Sequence, residues 1–131
     1  PKSLRKLASL ILLDLSNNQF NGFPFEILGS LFKLRFLSIQ DNLFNGIVKE
    51  AHLLNFSHLH LFDASRNQFT LQVSPNWSPP FQILEYLGMA SWYLGPDFPL
   101  WIQSLKHLSD LDISNTQIFG PIPAWVWSTF D

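Results

Sequence analysis

One pattern recurs five times along the chain: LILLDLSNNQF, LRFLSIQDNLF, LHLFDASRNQF, LEYLGMASWYL and LSDLDISNTQI. Its leading leucines, Leu10, Leu34, Leu59, Leu84 and Leu108, stand 24, 25, 25 and 24 residues apart. A unit of that length is one coil that cannot bury its apolar face alone, so successive units must stack into a solenoid. The chain is thereby expected to offer an extended surface rather than a closed pocket, and to form one domain over residues 1–131.

Within each unit the spacing LxxLxL predicts a short strand, because successive side chains alternate across it. Leu10, Leu13 and Leu15 point inward, and the inward set continues as Leu37 and Ile39, Phe62 and Ala64, Leu87 and Met89, then Leu111 and Ile113. Equivalent strands then stack in parallel. Asn18, Asn42 and Asn67 share one repeat position just after the strand, where a turning backbone has polar groups that cannot stay unpaired inside. Their amides are expected to bridge adjacent coils, the alternative being ligand contacts. Trp92 and Thr116 interrupt this ladder.

Next come FNGFP at 20–24, FNGIV at 44–48, LGPDFP at 94–99 and FGPIP at 119–123, where glycine and proline bend each coil. Apolar returns such as ILGSL and WIQSL are read as short helical turns. The third unit departs most, with prolines at 75, 79 and 80 predicting an irregular outer coil or small loop. In the first unit Pro24 comes one position early, so a distorted outer coil is expected there.

Only 14% of residues are charged, and the formal net charge is -2, which argues against nucleic-acid binding. No cysteine is present, excluding a disulfide framework, a thiolate metal site and a Cys nucleophile. The chain is read as an internal stretch whose caps lie elsewhere, with apolar edges around Leu4, Leu7 and Phe130. PKSLRKLASLILL superficially imitates a signal peptide, but Asp14 interrupts it and its leucines fall on the repeat register. No apolar run is long enough for direct membrane insertion.

LDLSNNQFNG and the later FGPIP resemble the plant-specific leucine-rich repeat, LxxLxLSxNxLxGxIP, of cell-surface receptor kinases and receptor-like proteins. SPNWSPPFQ, LGPDFPLWIQSLKHLSDLDISNTQI and PIPAWVW are similar to a run in plant receptor-like proteins of the xylanase-elicitor receptor type. The resemblance implies an α/β leucine-rich repeat solenoid, a right-handed curved coil of about five repeats. A parallel sheet would line its concave face, with short helical or 3-10 turns and irregular coil on the convex face. It also implies an extracellular segment, at the plasma membrane of a single-pass parent or in the apoplast, that recognises a peptide or protein and pairs with a co-receptor kinase. The alternatives are a soluble extracellular inhibitor of a microbial wall-degrading enzyme and a truncated, nonfunctional receptor relative. Where the family often has ASCxLGP, this chain has Ser91 and Trp92.

His52, His58, His60 and His107 lack metal-ligand spacing and are read as surface residues, so neither metal nor cofactor is expected. Asp14, Asp63 and Asp112 share a repeat position, yet catalysis needs two carboxylates converging on one bond, and these lie in separate coils. No enzyme is expected. The outward strand face is the candidate binding surface: Phe36, Leu61 and Tyr86 make an apolar stripe flanked by Asp41, Asp63, Arg66, Asp110 and Asp112. Cross-strand packing is the competing explanation of that stripe. Asn55 and Asn76 fit the glycosylation sequon, Asn55 the better because Pro79 follows the other. Trp101, Trp125 and Trp127 are read as core or seam residues.

Overall fold

The computed structural model describes residues 7–129, so the edges expected at Leu4 and Phe130 lie outside the described residues. Five three-residue strands recur at the expected places: β1 (Leu12–Asp14), β3 (Phe36–Ser38), β5 (Leu61–Asp63), β7 (Tyr86–Gly88) and β8 (Asp110–Asp112). They form one parallel sheet in the order β1-β3-β5-β7-β8. The register runs Leu12, Phe36, Leu61, Tyr86, Asp110 across its first row. This is the register that equal spacing of the motif demands, since a one-residue slip would turn every leucine outward.

The bends after these strands form a second parallel sheet that the sequence reading did not anticipate. It consists of β2 (Asn21–Gly22), β4 (Leu43–Lys49) and β6 (Gln68–Gln72) in that order. Gly46 is needed within β4: its φ of +129° is one that L side chains rarely adopt, and the Phe23 ring occupies the space a Cβ would take. The return segments are single turns, α1 (Phe25–Leu28), α2 (Glu50–Leu53), a 3-10 turn at Leu100–Ser104, and α3 (Trp125–Thr129). Pro24 thus begins a helical turn rather than a distorted coil, because its fixed φ suits the helix start and its missing N–H needs no partner there. Residues 73–79 of the third coil contain no helix or strand, in line with their prolines.

The core fills the space between these walls. Leu34, Leu37, Ile39, Leu59, Phe62, Ala64, Leu84 and Leu87 are 0% exposed. Aromatic rings run through several coils as a column: Phe20 stacks on Phe44 at 6.2 Å, Phe44 on Phe69 at 6.4 Å, and Phe69 meets Trp92 at 4.9 Å. Phe25 reaches Phe62, Phe69 and Trp92 with ring separations of 6.2, 5.1 and 6.3 Å. Such contacts contribute beyond plain burial of area. Leu111, expected inside, is only half-buried, since β8 has a strand neighbour on one side alone.

Candidate functional site

On the outward side of the five-stranded sheet the side chains form rows, one residue per coil. The first strand row is Leu12, Phe36, Leu61, Tyr86 and Asp110. Leu12 and Phe36 are exposed, whereas Leu61 and Tyr86 are half-buried between neighbours. The stripe is therefore continuous and still open to solvent. The residues just before the strands make an edge row of Arg35, His60, Glu85 and Ser109. Rows and edge together line a concavity of about 500 Å³.

The aspartates of the next row serve the backbone. Asp14 Oδ1 accepts the Ser16 N–H and O–H at 3.0 and 2.6 Å, and Asp112 Oδ1 does the same with Ser114 at 3.1 and 2.7 Å. Asp63 accepts the Ser65 N–H at 3.1 Å. These hydroxyl and amide donors favour the charged form, holding the Asp14 and Asp112 carboxyls below the usual range. Gly88 lies between Asp63 and Asp112 in this row, and the Asp63 carboxylate occupies the room a Cβ there would need. Burial raises the Tyr86 phenol's pKa, with Asp63 and Asp112 adding to the shift.

Immediately beyond the strands, Asn17, Asp41, Arg66, Ser91 and Asn115 all have left-handed backbones, with φ between 54° and 70°. Each of the first four donates its N–H to the next coil, to Gln40, Ser65, Ala90 and Ser114 carbonyls respectively. Asn and Asp tolerate this conformation best, so Arg66 and Ser91 are the unusual occupants. Arg66 forks onto Asp41 one coil earlier, Nε to Oδ1 at 2.6 Å and a terminal nitrogen to Oδ2 at 2.9 Å. This hydrogen-bonded pairing lowers the Asp41 pKa and raises that of Arg66. Opposite charges one period apart were a legible signal for this pair, and complementary hydrogen-bonding groups at the same spacing for His60 and Glu85, which meet at 3.0 Å.

Two rungs of the asparagine ladder bridge coils. Asn42 donates to the Leu15 carbonyl at 2.9 Å and accepts the Phe20 N–H, and Asn67 donates to the Ile39 carbonyl at 2.9 Å and accepts the Phe44 N–H. Asn18 differs: its amide reaches only Leu15 and Ser16 of its own coil and is exposed. In the fourth coil, after Asn67, the Trp92 indole N–H takes over the bridging donation, reaching the Ala64 carbonyl at 2.9 Å. Thr116 keeps only the local half, donating to the Ile113 carbonyl at 2.7 Å.

The histidines sit apart. His52 accepts the Lys49 N–H and lies 3.5 Å from Glu26, while His58 lies 3.1 Å from the Phe32 carbonyl oxygen. Among the described residues no three His, Cys, Asp or Glu side chains gather as a metal site. Asn55 and Asn76 lie outside both sheets and are exposed, but the Asn55 amide donates to the Gly29 carbonyl at 3.0 Å. Trp101 is buried and Trp125 packs on Phe98, whereas Trp127 is 65% exposed, because α3 can turn only one face to the core.

Comparison with known proteins follows the same lines. The Leucine Rich Repeat family profile matches residues 9–31. The chain is 42% identical over 80 residues to receptor-like protein EIX1 of Solanum lycopersicum, covering 61% of this chain and 8% of that protein. Receptor-like protein 1 of Arabidopsis thaliana is 33% identical over 129 residues, 96% of this chain and 12% of the relative. Among solved structures, that of PEPR1–AtPEP1 superposes with a TM-score of 0.77 at 26% identity, covering 96% of this chain and 21% of that one. A TDR receptor structure gives 0.72 at 30% identity, with 88% and 20% covered. The chain thus spans only 8% to 12% of the length of these curated relatives. Among the described residues no helix is long and apolar enough to cross a membrane.

Proposed function

Because the chain belongs to the leucine-rich repeat family, in the form carried by plant receptor-like proteins, we propose that its five-stranded face is a ligand-recognition segment of a plant cell-surface immune or developmental receptor. The segment works on the extracellular side of the membrane, its ligand is a peptide or protein, and a co-receptor kinase is the second partner. The carrying observation is the in-register stripe of Phe36, Leu61 and Tyr86, solvent-facing and rimmed by Asp41, Asp63, Arg66, Asp110 and Asp112. An apolar centre with a polar rim suits a recognition surface, and an open row of strands suits an extended ligand lying across it. Asn55 and Asn76, the proposed glycan acceptors, lie outside this sheet and would leave it uncovered. The chain is read as a single repeat domain that binds without catalysis.

The test compares the wild type with Tyr86→Ala for retention of a mixed-sequence library of extended peptides and for thermal melting. Aromatic anchors dominate such interfaces, so retention is expected to fall about fivefold, roughly 1 kcal/mol, with little change in melting. Unchanged retention with a lowered melting temperature would make the stripe a packing feature and remove this reading.

A further inference from the structure

The groove beside the stripe is asymmetric in charge. Its floor is apolar, made by Phe36, Leu61 and Tyr86, and the cation Arg35 precedes β3 at one end. At the other end stand two carboxylates, Glu85 before β7 and Asp110 in β8. Glu85 is already oriented. Glu85 Oε1 is paired to His60 at 3.0 Å, and that imidazole stacks on Phe36 with a 6.0 Å ring separation. The Ser109 hydroxyl lies 3.2 Å from the Glu85 carbonyl oxygen and 3.3 Å from Asp110 Oδ2, and its single proton serves one of them at a time. Both residues are exposed, so their carboxylates remain able to accept from a bound donor. The Glu85 side chain is 60% exposed, so a donor can reach it.

We infer that this groove seats the basic side chain of an extended peptide, its aliphatic stem on Tyr86 and the edge of Leu61 and its cationic head between Glu85 and Asp110, with Phe36 left for the neighbouring peptide residue because strands stand about 4.8 Å apart. The inference rests on the reading of this face as a peptide-recognition surface and names the chemistry it selects. A long cationic side chain fits both halves of the groove, since Lys and Arg lay their methylenes on apolar surface while the head stays with charge and water. A guanidinium suits paired carboxylate acceptors better than an ammonium does. The rest of the face favours the same sign, because Asp63 and Asp112 lie in the adjoining row while Arg66 is tied to Asp41. Arg35 at the far end disfavours a second cation there.

The experiment uses the whole chain, immobilised, with three fluorescent nonapeptide pools identical except that the central residue is fixed as Arg, Leu or Glu. Wild type is expected to retain the Arg pool about tenfold over the Glu pool, and Glu85→Gln with Asp110→Asn should erase that preference without changing retention of the Leu pool. Raising NaCl from about 0.05 to 0.5 M should also shrink it, because exposed charges are screened. Circular dichroism of the double variant checks that the fold is kept. If all three pools are retained equally, the cation-selective groove is refuted while peptide recognition stands. If wild type retains none of them, both readings fall together.

Discussion

The inner and outer strands of the five-stranded sheet carry the same motif and obtain very different burial from it. Leu37, Phe62 and Leu87, in β3, β5 and β7, are 0% exposed, while Leu13 and Leu111, at the equivalent positions in β1 and β8, are only half-buried. Nothing in the local sequence separates them. In a stacked fold a side chain's burial is supplied by the coils on either side, so position in the stack decides what a leucine contributes.

The sharpest test of that difference is truncation of equivalent core residues. Leu37→Ala should cost about 2–5 kcal/mol through lost transfer energy and a cavity, and Leu111→Ala roughly half as much, because its cavity opens to solvent. Denaturant unfolding measures both, and equal losses would break the comparison. Asp14→Ala is expected to cost less than either.

The polar ladder should divide in the same way. Asn67→Ala leaves the buried Phe44 N–H without its partner and the Ile39 carbonyl with the Asn42 amide alone, and should cost about 1–3 kcal/mol. Asn18→Ala, touching only exposed carbonyls of its own coil, should stay within about 0.5 kcal/mol. Trp92→Phe keeps the ring in the aromatic column but removes the N–H to Ala64, and about 1–2 kcal/mol is expected. A Trp92→Phe variant as stable as the wild type would mean that the indole acts through packing alone.

The smallest effect belongs to the surface pair. Asp41→Asn should cost about 0.5 kcal/mol at neutral pH, since both partners are well solvated. Its folded-state pKa is depressed, so the stabilisation is present above the ordinary Asp value of 3.8 and lost as pH falls through the lower folded value. Wild type and variant should therefore converge in melting temperature near pH 2. A difference that persists there would assign Asp41 a role other than its charge.

How much of this could be read from the residues depended on whether the motif or its neighbours decided the outcome. The five strands, their register and the outward stripe follow from leucine spacing alone, and the structure has them at those positions. The second sheet was hidden because its strands hold Gly46 and few alternating residues, so its pairing is imposed by the stacking of coils. The ladder's change of donor at Trp92 was equally hidden. Only the three-dimensional stack reveals that an indole N–H reaches the carbonyl an asparagine amide would otherwise take. On the outward face of the five-stranded sheet, Arg66 with Asp41 and His60 with Glu85 were within reach of a rule that pairs complementary polar groups one period apart. That rule needs the register first, and the register is what the leucines provide.

The ring contacts of Phe25 have a mechanical consequence. Stacked coils held only by adjacent neighbours would peel away one at a time under tension along the axis. Phe25, however, belongs to the first coil and touches Phe62 and Phe69 in the third and Trp92 in the fourth. Among the described residues the fifth coil has no such tie. It is fastened through the β7–β8 pairing, backbone bonds to Thr116 and Pro96, and the Phe98–Trp125 contact. Pulled from its two ends, the molecule should first release that coil alone, lengthening by roughly 70–80 Å for its 22 described residues, 108–129. The four coils stitched by Phe25 should then yield together in one longer step, so that the solenoid behaves as a rigid block carrying a detachable final turn.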